Sequence, residues 1–456
     1  MAKSRRFKEA KDLIEGFLQD ELDLEISPEE VARHLRRIHK GDADLFIEYM
    51  SKMPHDILGD VAMRLPDFIL KDVLEKLPSV KLKEAIEELE SDDATDFLQN
   101  IEEISEEKAG ELFEILDKDY QEDIKKLRRY SDEEAGAYMQ TEVFTGKIDE
   151  KVSDAVKRLR KLKESGELEN IHRLFIVDDY ETLLFDIPLE DLITSDFNLT
   201  FKEIIEQAPE DEYRPILARD DESIDDVIES VENYDLSVIP VVDYHGRLVG
   251  RITADDVHDI IQESATEQIY NLAGVSDEAE QDETMFKAGR ARAAWNMINL
   301  FTAFAAASVI GFFEDTIESF VALAVLMPIV ASMGGNAGNQ ALAVTVRQLA
   351  LGKISFNNAK ETIFKEATIT SVNGLIFAGV VGSVAYIWFG EIRLGFIIAG
   401  AMIINFFCAG FFGAFIPLTL KRVGFDPAVG SSILLTAITD MMGFFSFLGL
   451  ASWVLL

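Results

Sequence analysis

The stretch MPIVASMGGNAGNQALAVTVRQ, residues 327–348, decides how this 456-residue chain is read. It lies inside a long apolar run, where unpaired polar groups are costly. Yet it carries Pro328, Gly334, Gly335 and Gly338, and the amides Asn336, Asn339 and Gln340. Pro328 removes one helical hydrogen bond and frees a carbonyl, and the glycines let backbones approach closely. Helix packing through small residues would explain the glycines but not the amides beside them. Amide-lined backbone at membrane depth is tolerated where it lines a wet cavity. The stretch therefore reads as the wall of a polar path through a membrane domain.

Five apolar segments follow residue 290: Ala293 to Phe313, Ser319 to about Val346, about Ala367 to Trp388, Leu394 to Leu420, and Pro427 to Leu456. Each can span a hydrocarbon core, which needs about 20 helical residues. Lys287, Arg290 and Arg292 precede the first segment. Arg347, Lys353, Lys360 and Lys365 separate the second and third, and Lys421 and Arg422 the fourth and fifth. The alternate loops are acidic or nearly neutral. The positive-inside rule then puts the N-terminus in the cytosol and the C-terminus outside a plasma membrane. The opening MAKSRRFKEAKDL has no apolar core, so no signal peptide is expected.

The last segment holds one ionisable residue, Asp440, about midway along. A carboxylate at that depth costs at least about 3 kcal/mol on insertion scales and usually faces a cavity or a partner. No basic residue lies deep in any segment, so its natural counter-charge is a mobile cation. A structural hydrogen bond to Asn373 or Asn405 is the alternative. Thr436, one turn earlier, shares the face of Asp440, and Ser431, Ser432 and Thr439 stand nearby.

Residues 1–285 carry 34 Lys and Arg against 75 Asp and Glu, a net charge of −41; the remainder carries 10 against 8. Such acidity disfavours nucleic acid and anionic lipid as partners and favours cations. The single cysteine, Cys408, excludes a disulfide framework and a multi-cysteine metal site. No nucleophile–base arrangement stands out, so no enzyme is expected.

Pro54, Pro66 and Pro78 are spaced by twelve, as are Met53, Leu65, Leu77, Leu89 and Ile101. Each unit reads as a short helix opened by proline, and stacked units make a superhelical all-α domain over 1–137. In LESDDATDFLQNI, Ser91 can cap a helix on which Asp92 and Asp96 share a face at i,i+4; they answer the helix dipole or hold a cation. Further on, FIVDDYETLLFDIPLEDLI from Phe175 matches PVVDYHGRLVGRITADDVH from Pro240 at an offset of 65. Each copy reads strand, turn, strand, helix, predicting α/β units over 138–200 and 201–263.

The tandem α/β unit resembles a CBS pair. An acidic helical domain, a CBS pair, a joining helix over 264–290 and a five-helix transmembrane domain over 291–456, with GGNAGNQ and DPAVG…TAITD, together resemble the MgtE family of magnesium channels. The resemblance implies a homodimer with a Mg²⁺-selective pore on its two-fold axis, closed by Mg²⁺ on the cytosolic domains. It places Asp440 and Thr436 in the pore and Asp92, Asp96, Asp225, Asp235, Asp256, Asp259 and Glu267 at regulatory metal sites. Three positions depart from the family pattern: Ser264 and Gln268 replace expected acids, and Ser432 stands where a pore asparagine is common. GRITADD from Gly250 also resembles a ribose-facing stretch, which makes an adenine nucleotide a candidate CBS ligand. Two rivals stand beside the channel: an ion-coupled secondary transporter of divalent cations, and a non-transporting nucleotide sensor.

Overall fold

The computed structural model describes residues 2–19, 26–166, 168, 170–275, 285–351, 353–354 and 358–456. It forms two compact units, Met1–Gln262 and Glu263–Leu456.

The first unit begins with nine helices among the described residues: α1 (Ala2–Leu18), α2 (Pro28–His39), α3 (Ala43–Lys52), α4 (His55–Met63), α5 (Asp67–Lys76), α6 (Ser79–Glu87), α7 (Ser91–Ile104), α8 (Glu106–Ile115) and α9 (Lys118–Leu127). The twelve-residue spacing does what it predicts. Met53, Leu65, Leu77, Leu89 and Ile101 are all buried in one core with Phe46 and Phe97. Pro54, Pro66 and Pro78 sit one position earlier than expected, as extended N-cap residues before α4, α5 and α6. Their fixed φ still suits the entry to a helix. Ser91 does not cap α7. The N-cap is Glu90, and Ser91 is the first helical residue. Its Oγ donates to Glu142 Oε2 (3.0 Å) and accepts from the Thr141 amide (2.8 Å), tying α7 to the following chain instead.

Two three-stranded sheets follow. β1 (Thr145–Lys147), β2 (Arg173–Val177) and β3 (Leu183–Pro188) form one; β4 (Ala218–Arg219), β5 (Val238–Val242) and β6 (Leu248–Thr253) form the other. In each sheet the first pair is parallel and the second antiparallel. The matched aspartates build matching turns. Asp178 Oδ1 accepts from the amides of Tyr180 and Thr182, both at 2.8 Å, and Asp243 Oδ1 from those of His245 (2.8 Å) and Arg247 (2.9 Å). Positive φ falls at the matched positions Glu181 (65°) and Gly246 (80°). A non-glycine residue there costs roughly 1 kcal/mol. The two hairpins then bond to each other reciprocally, Leu183 N to Gly246 O (3.0 Å) and Leu248 N to Glu181 O (2.9 Å). Helices α10 (Val152–Glu164), α11 (Leu189–Thr194), α12 (Phe201–Gln207) and α13 (Ile224–Tyr234) complete this part. Leu127, Ala135 and Met139 join the core of the second copy, so the end of the helical domain is packed with it.

The helix after β6, α14 (Ala254–Ala273), runs unbroken through Ser264, where a separate joining helix was expected to start. It ends before Gly274, whose φ is +71°. Residues 276–284 lie outside the described residues. Then come α15 (Met285–Phe312), the short α16 (Glu314–Ser319), α17 (Ala322–Ala350), α18 (Ala359–Phe389), α19 (Ile392–Val423) and α20 (Ser431–Leu455). Four of these, α15, α18, α19 and α20, are long and apolar enough to cross a membrane. The remaining long helix, α17, holds the opening stretch, and its amides and glycines lower its mean hydropathy. The backbone there is not broken: α17 is helical throughout, with Pro328 in its second turn. Pro328 costs the helix one bond, to the Ala324 carbonyl. Helix α18 begins eight residues before the apolar segment was expected to start. It takes in Glu366, only 6% exposed, so Asp440 is not the sole acid within the membrane helices.

Candidate ion pathway and acidic cluster

The glycines of the opening stretch act on one side of α17. A Cβ on Gly334 would lie 2.1 Å from Asn405 Nδ2, and one on Gly338 3.1 Å from the Leu435 methyls. On α19, a Cβ on Gly413 would lie 2.8 Å from the Gly338 carbonyl. Three helices therefore meet at near-backbone distance. Gly335 has nothing near it, and Asn336, Asn339 and Gln340 are exposed in the single chain, as is Pro328. The amide groups thus fall on the face that α19 and α20 do not cover.

Asn339 from α17, Ser432 and Thr436 from α20, and Asn299 from α15 line one cavity of about 440 Å³ with Leu272 and Ala273 at the end of α14. Two hydrogen bonds hold that end of α14: Ser432 Oγ donates to Leu272 O (2.8 Å), and Asn271 Nδ2 to Asp426 Oδ2 (2.8 Å). Asp440 lies one turn beyond Thr436 and is half-buried. Its carboxylate makes no hydrogen bond or ion pair with the described residues. Asn405 donates instead to the Val330 carbonyl (2.9 Å).

Gly338 gives a direct test of this packing. Gly338→Leu must displace Leu435, next to Thr436, and overpacking of this kind costs about 1–3 kcal/mol or more. Metal uptake by reconstituted protein is expected to fall at least about tenfold. Wild-type uptake would place this face of α17 outside the pathway.

The second site lies within the cytosolic unit, where α7 approaches the start of α14. Gln140 bridges the two: its Nε2 donates to Glu90 Oε2 and Asp256 Oδ2, both at 2.9 Å. Asp256 Oδ2 also accepts from Thr253 Oγ1 (2.5 Å) and the Thr253 amide (3.2 Å). Arg251, buried, reaches Glu90 at 3.7 Å. Burial pushes Glu90 up to about 7, against the pull of Arg251, with Asp256 and Glu142 adding repulsion. Burial, then repulsion from Asp256 and Asp93, holds Asp92 well above the ordinary range. Asp93 is pushed up to about 6 by burial and then by Asp60 and Asp256. Asp256 is raised by burial, partly offset by its bonds to Thr253.

This cluster fits a divalent cation. Its donors are hard carboxylate oxygens, and the buried Gln140 Oε1 has no hydrogen-bond partner. Among the described residues no three acids converge closely enough to ligate one ion directly.

Of the other expected regulatory acids, Asp259 is exposed but lies close enough to repel Asp93. Asp96 is exposed, unlike Asp92. Asp225 and Asp235 are exposed at opposite ends of α13, Asp225 in its first turn and Asp235 as a left-handed C-cap (φ 49°). Glu267, also exposed, accepts a 3.3 Å hydrogen bond from Asn271. Sequence reasoning missed Glu90, although it stands two residues before Asp92 in LESDD, and read Asp93 only as one of the acids in the first turns of the helix. It also missed Gln140 and Asn299, each a lone amide with no pattern around it.

The raised pKa values set a pH dependence. A carboxylate with a raised pKa in the docked state penalises docking once both states are ionised. The penalty is absent below about pH 4 and grows as pH rises toward 6–7, the range set by Asp93 and Glu90. Without divalent cations, protection of the cytosolic unit from protease is therefore expected to rise as pH falls from 8 to 5.5. Equal cleavage across that range would remove these acids from the docking equilibrium.

Comparison with known proteins gives the same layout. The family model "Divalent cation transporter" (MgtE) matches residues 327–450, "MgtE intracellular N domain" residues 26–133, and "CBS domain" residues 211–263. The chain is 32% identical over 330 residues to a magnesium transporter MgtE of Enterococcus faecalis, covering 72% of this chain and 71% of that one. It is 30% identical over 366 residues to the Thermus thermophilus magnesium transporter MgtE, covering 80% and 79%. A solved cytosolic domain of the Mg²⁺ channel MgtE in complex with ATP aligns at a TM-score of 0.46 and 28% identity, over 52% of this chain and 91% of that one.

Proposed function

Because this chain belongs to the MgtE family of divalent cation transporters, we propose that it is a Mg²⁺-selective channel for uptake across the plasma membrane, closed by cytosolic Mg²⁺. The observation that carries the reading is Asp440, a half-buried carboxylate inside α20 with no described protein partner, one turn above a cavity lined by Thr436, Ser432, Asn339 and Asn299. Mg²⁺ gives up its waters reluctantly. A path of carboxylate, hydroxyl and amide oxygens can hold the hydrated ion by accepting hydrogen bonds from those waters. The uncovered amide face of α17 supports a homodimer in which two copies of Asp440 and Thr436 face one ion. Pro328, Gly334, Gly335, Asn336, Gly338 and Gln340 then form or pack the wall.

Regulation follows from the acidic cluster. Two carboxylates about 5 Å apart repel by roughly 3 kcal/mol at an effective dielectric near 20. Scarce Mg²⁺ leaves Asp92, Asp93, Glu90 and Asp256 to drive α7 from α14. Abundant Mg²⁺ reverses the sign, and α14, anchored at its other end by Asn271 and Ser432, carries the change toward the cavity. Asp96, Asp225, Asp235, Asp259 and Glu267 add further acids for outer ions. The basic loops support a cytosolic N-terminus, with the C-terminus outside.

The test is Mg²⁺ flux in liposomes carrying the full chain, with current recorded as cytosolic Mg²⁺ varies. A current linear in driving force, and suppressed by cytosolic Mg²⁺, is expected. Flux that requires a proton or Na⁺ gradient would favour a coupled transporter, and no flux would leave a sensor.

A further inference from the structure

Asn405 is fully buried near the middle of α19 and lies between α17 and α20. Its Nδ2 donates to the Val330 carbonyl at 2.9 Å, while its Oδ1 is buried with no hydrogen-bond partner. Both partner helices present glycine to it. A Cβ on Gly334 would sit 2.1 Å from Nδ2, and one on Gly443 2.7 Å from the same atom. Gly443 follows Asp440 by three residues on α20, less than one turn away and on a neighbouring face.

This arrangement is poor for stability. A buried acceptor without a donor destabilises a packed core, and an apolar side chain of similar size would avoid that cost. Packing alone would therefore favour leucine at this position. The amide makes sense if its service is geometric. It pins α17 by a directed bond, and its bulk fills the notch left by two glycines. Together these set the separation of α17 from α20 at the level of Asp440. The contact of Gly338 with Leu435 in the same seam is apolar and gives no such direction.

We propose that Asn405 is a positioning residue of the ion pathway, which fixes α17 against α20 and thereby the width of the path beside Asp440. This rests on the channel reading above. A path of set width fits the rigid six-water octahedron of Mg²⁺ better than the looser, more variable shell of Ca²⁺, so loss of the pin shows first in discrimination between the two ions.

The experiment uses full-length protein in liposomes, with Mg²⁺ and Ca²⁺ uptake measured side by side and thermal unfolding followed in detergent. Asn405→Leu is expected to lower the Mg²⁺ to Ca²⁺ uptake ratio about tenfold without lowering the unfolding midpoint. A merely structural asparagine would do the reverse. Gly334→Ala drives a methyl into the amide and is expected to cut Mg²⁺ uptake about tenfold. Adding Asn405→Ala should restore the rate but not the discrimination, because the clash is gone and so is the pin. A parental ion ratio in Asn405→Leu overturns the proposal. So does a Gly334→Ala defect that persists in the double variant, which decides the matter if Asn405→Leu does not assemble. The parent protein is the control: if it takes up no Mg²⁺, the channel reading fails instead.

Discussion

Asp440→Ala is expected to abolish Mg²⁺ uptake while leaving a folded, assembled membrane domain. Asp440 makes no hydrogen bond or ion pair with the described residues, so no polar tie between helices is lost with it. Removing a carboxylate from a membrane helix should also relieve an insertion cost of about 3 kcal/mol. The functional loss is large because a divalent ion about 5 Å from a carboxylate gains several kcal/mol at an effective dielectric near 20. Each 1.4 kcal/mol is about tenfold in affinity, so uptake should fall by about a hundredfold or more. Asp440→Asn keeps the shape and one acceptor oxygen and should lose most of the same activity. Reconstituted protein of matched amount and oligomeric state makes the comparison. Parental uptake by either variant would move the pathway away from α20 and direct attention to Glu366 on α18.

Asp256→Lys is expected to hold the cytosolic unit docked without Mg²⁺ and to silence uptake at every cytosolic Mg²⁺ concentration. The side chain at 256 faces Asp92, Asp93 and Glu90. An ammonium there turns the repulsions from Asp92, Asp93 and Glu90 into attractions, each a swing of up to about 6 kcal/mol for charges about 5 Å apart, which outweighs repulsion from Arg251 and the lost bonds from Gln140 and Thr253. The lysine does permanently what divalent ions do reversibly. Protease protection should then be complete in chelator and insensitive to added Mg²⁺. Asp92→Asn with Asp93→Asn is the gentler version: repulsion and ion binding are lost together, so the Mg²⁺ dependence should flatten. A Mg²⁺ midpoint unchanged in both variants would leave these acids no part in gating. Substitution is a better probe than truncation at residue 137, because Leu127 and Ala135 belong to the core of the second α/β copy.

The layout of this chain was legible in its sequence because it is written in local periods. A twelve-residue repeat buries Met53, Leu65, Leu77, Leu89 and Ile101 wherever the units stack. An offset of 65 pairs Asp178 with Asp243, and each aspartate closes its turn on amides only two and four residues away. Apolar length marks α15, α18, α19 and α20 as membrane helices, and the lone carboxylate of α20 marks Asp440. What the sequence could not decide were relations between distant segments. Asp92 and Asp96 share a face of α7, yet Asp92 lies beside Asp256 while Asp96, one turn further along, is exposed. Glu90 and Gln140 become part of the cluster through the docking of α7 on α14. Pro328 and three glycines read as a loosened backbone, but tertiary packing keeps α17 helical and uses Gly334 and Gly338 for close approach. Asn405 is one amide in an apolar run until the fold sets Val330 and two glycines around it. Periodicity is a property of neighbouring residues, whereas a site is a property of which surfaces meet, and that is settled only by the packed chain.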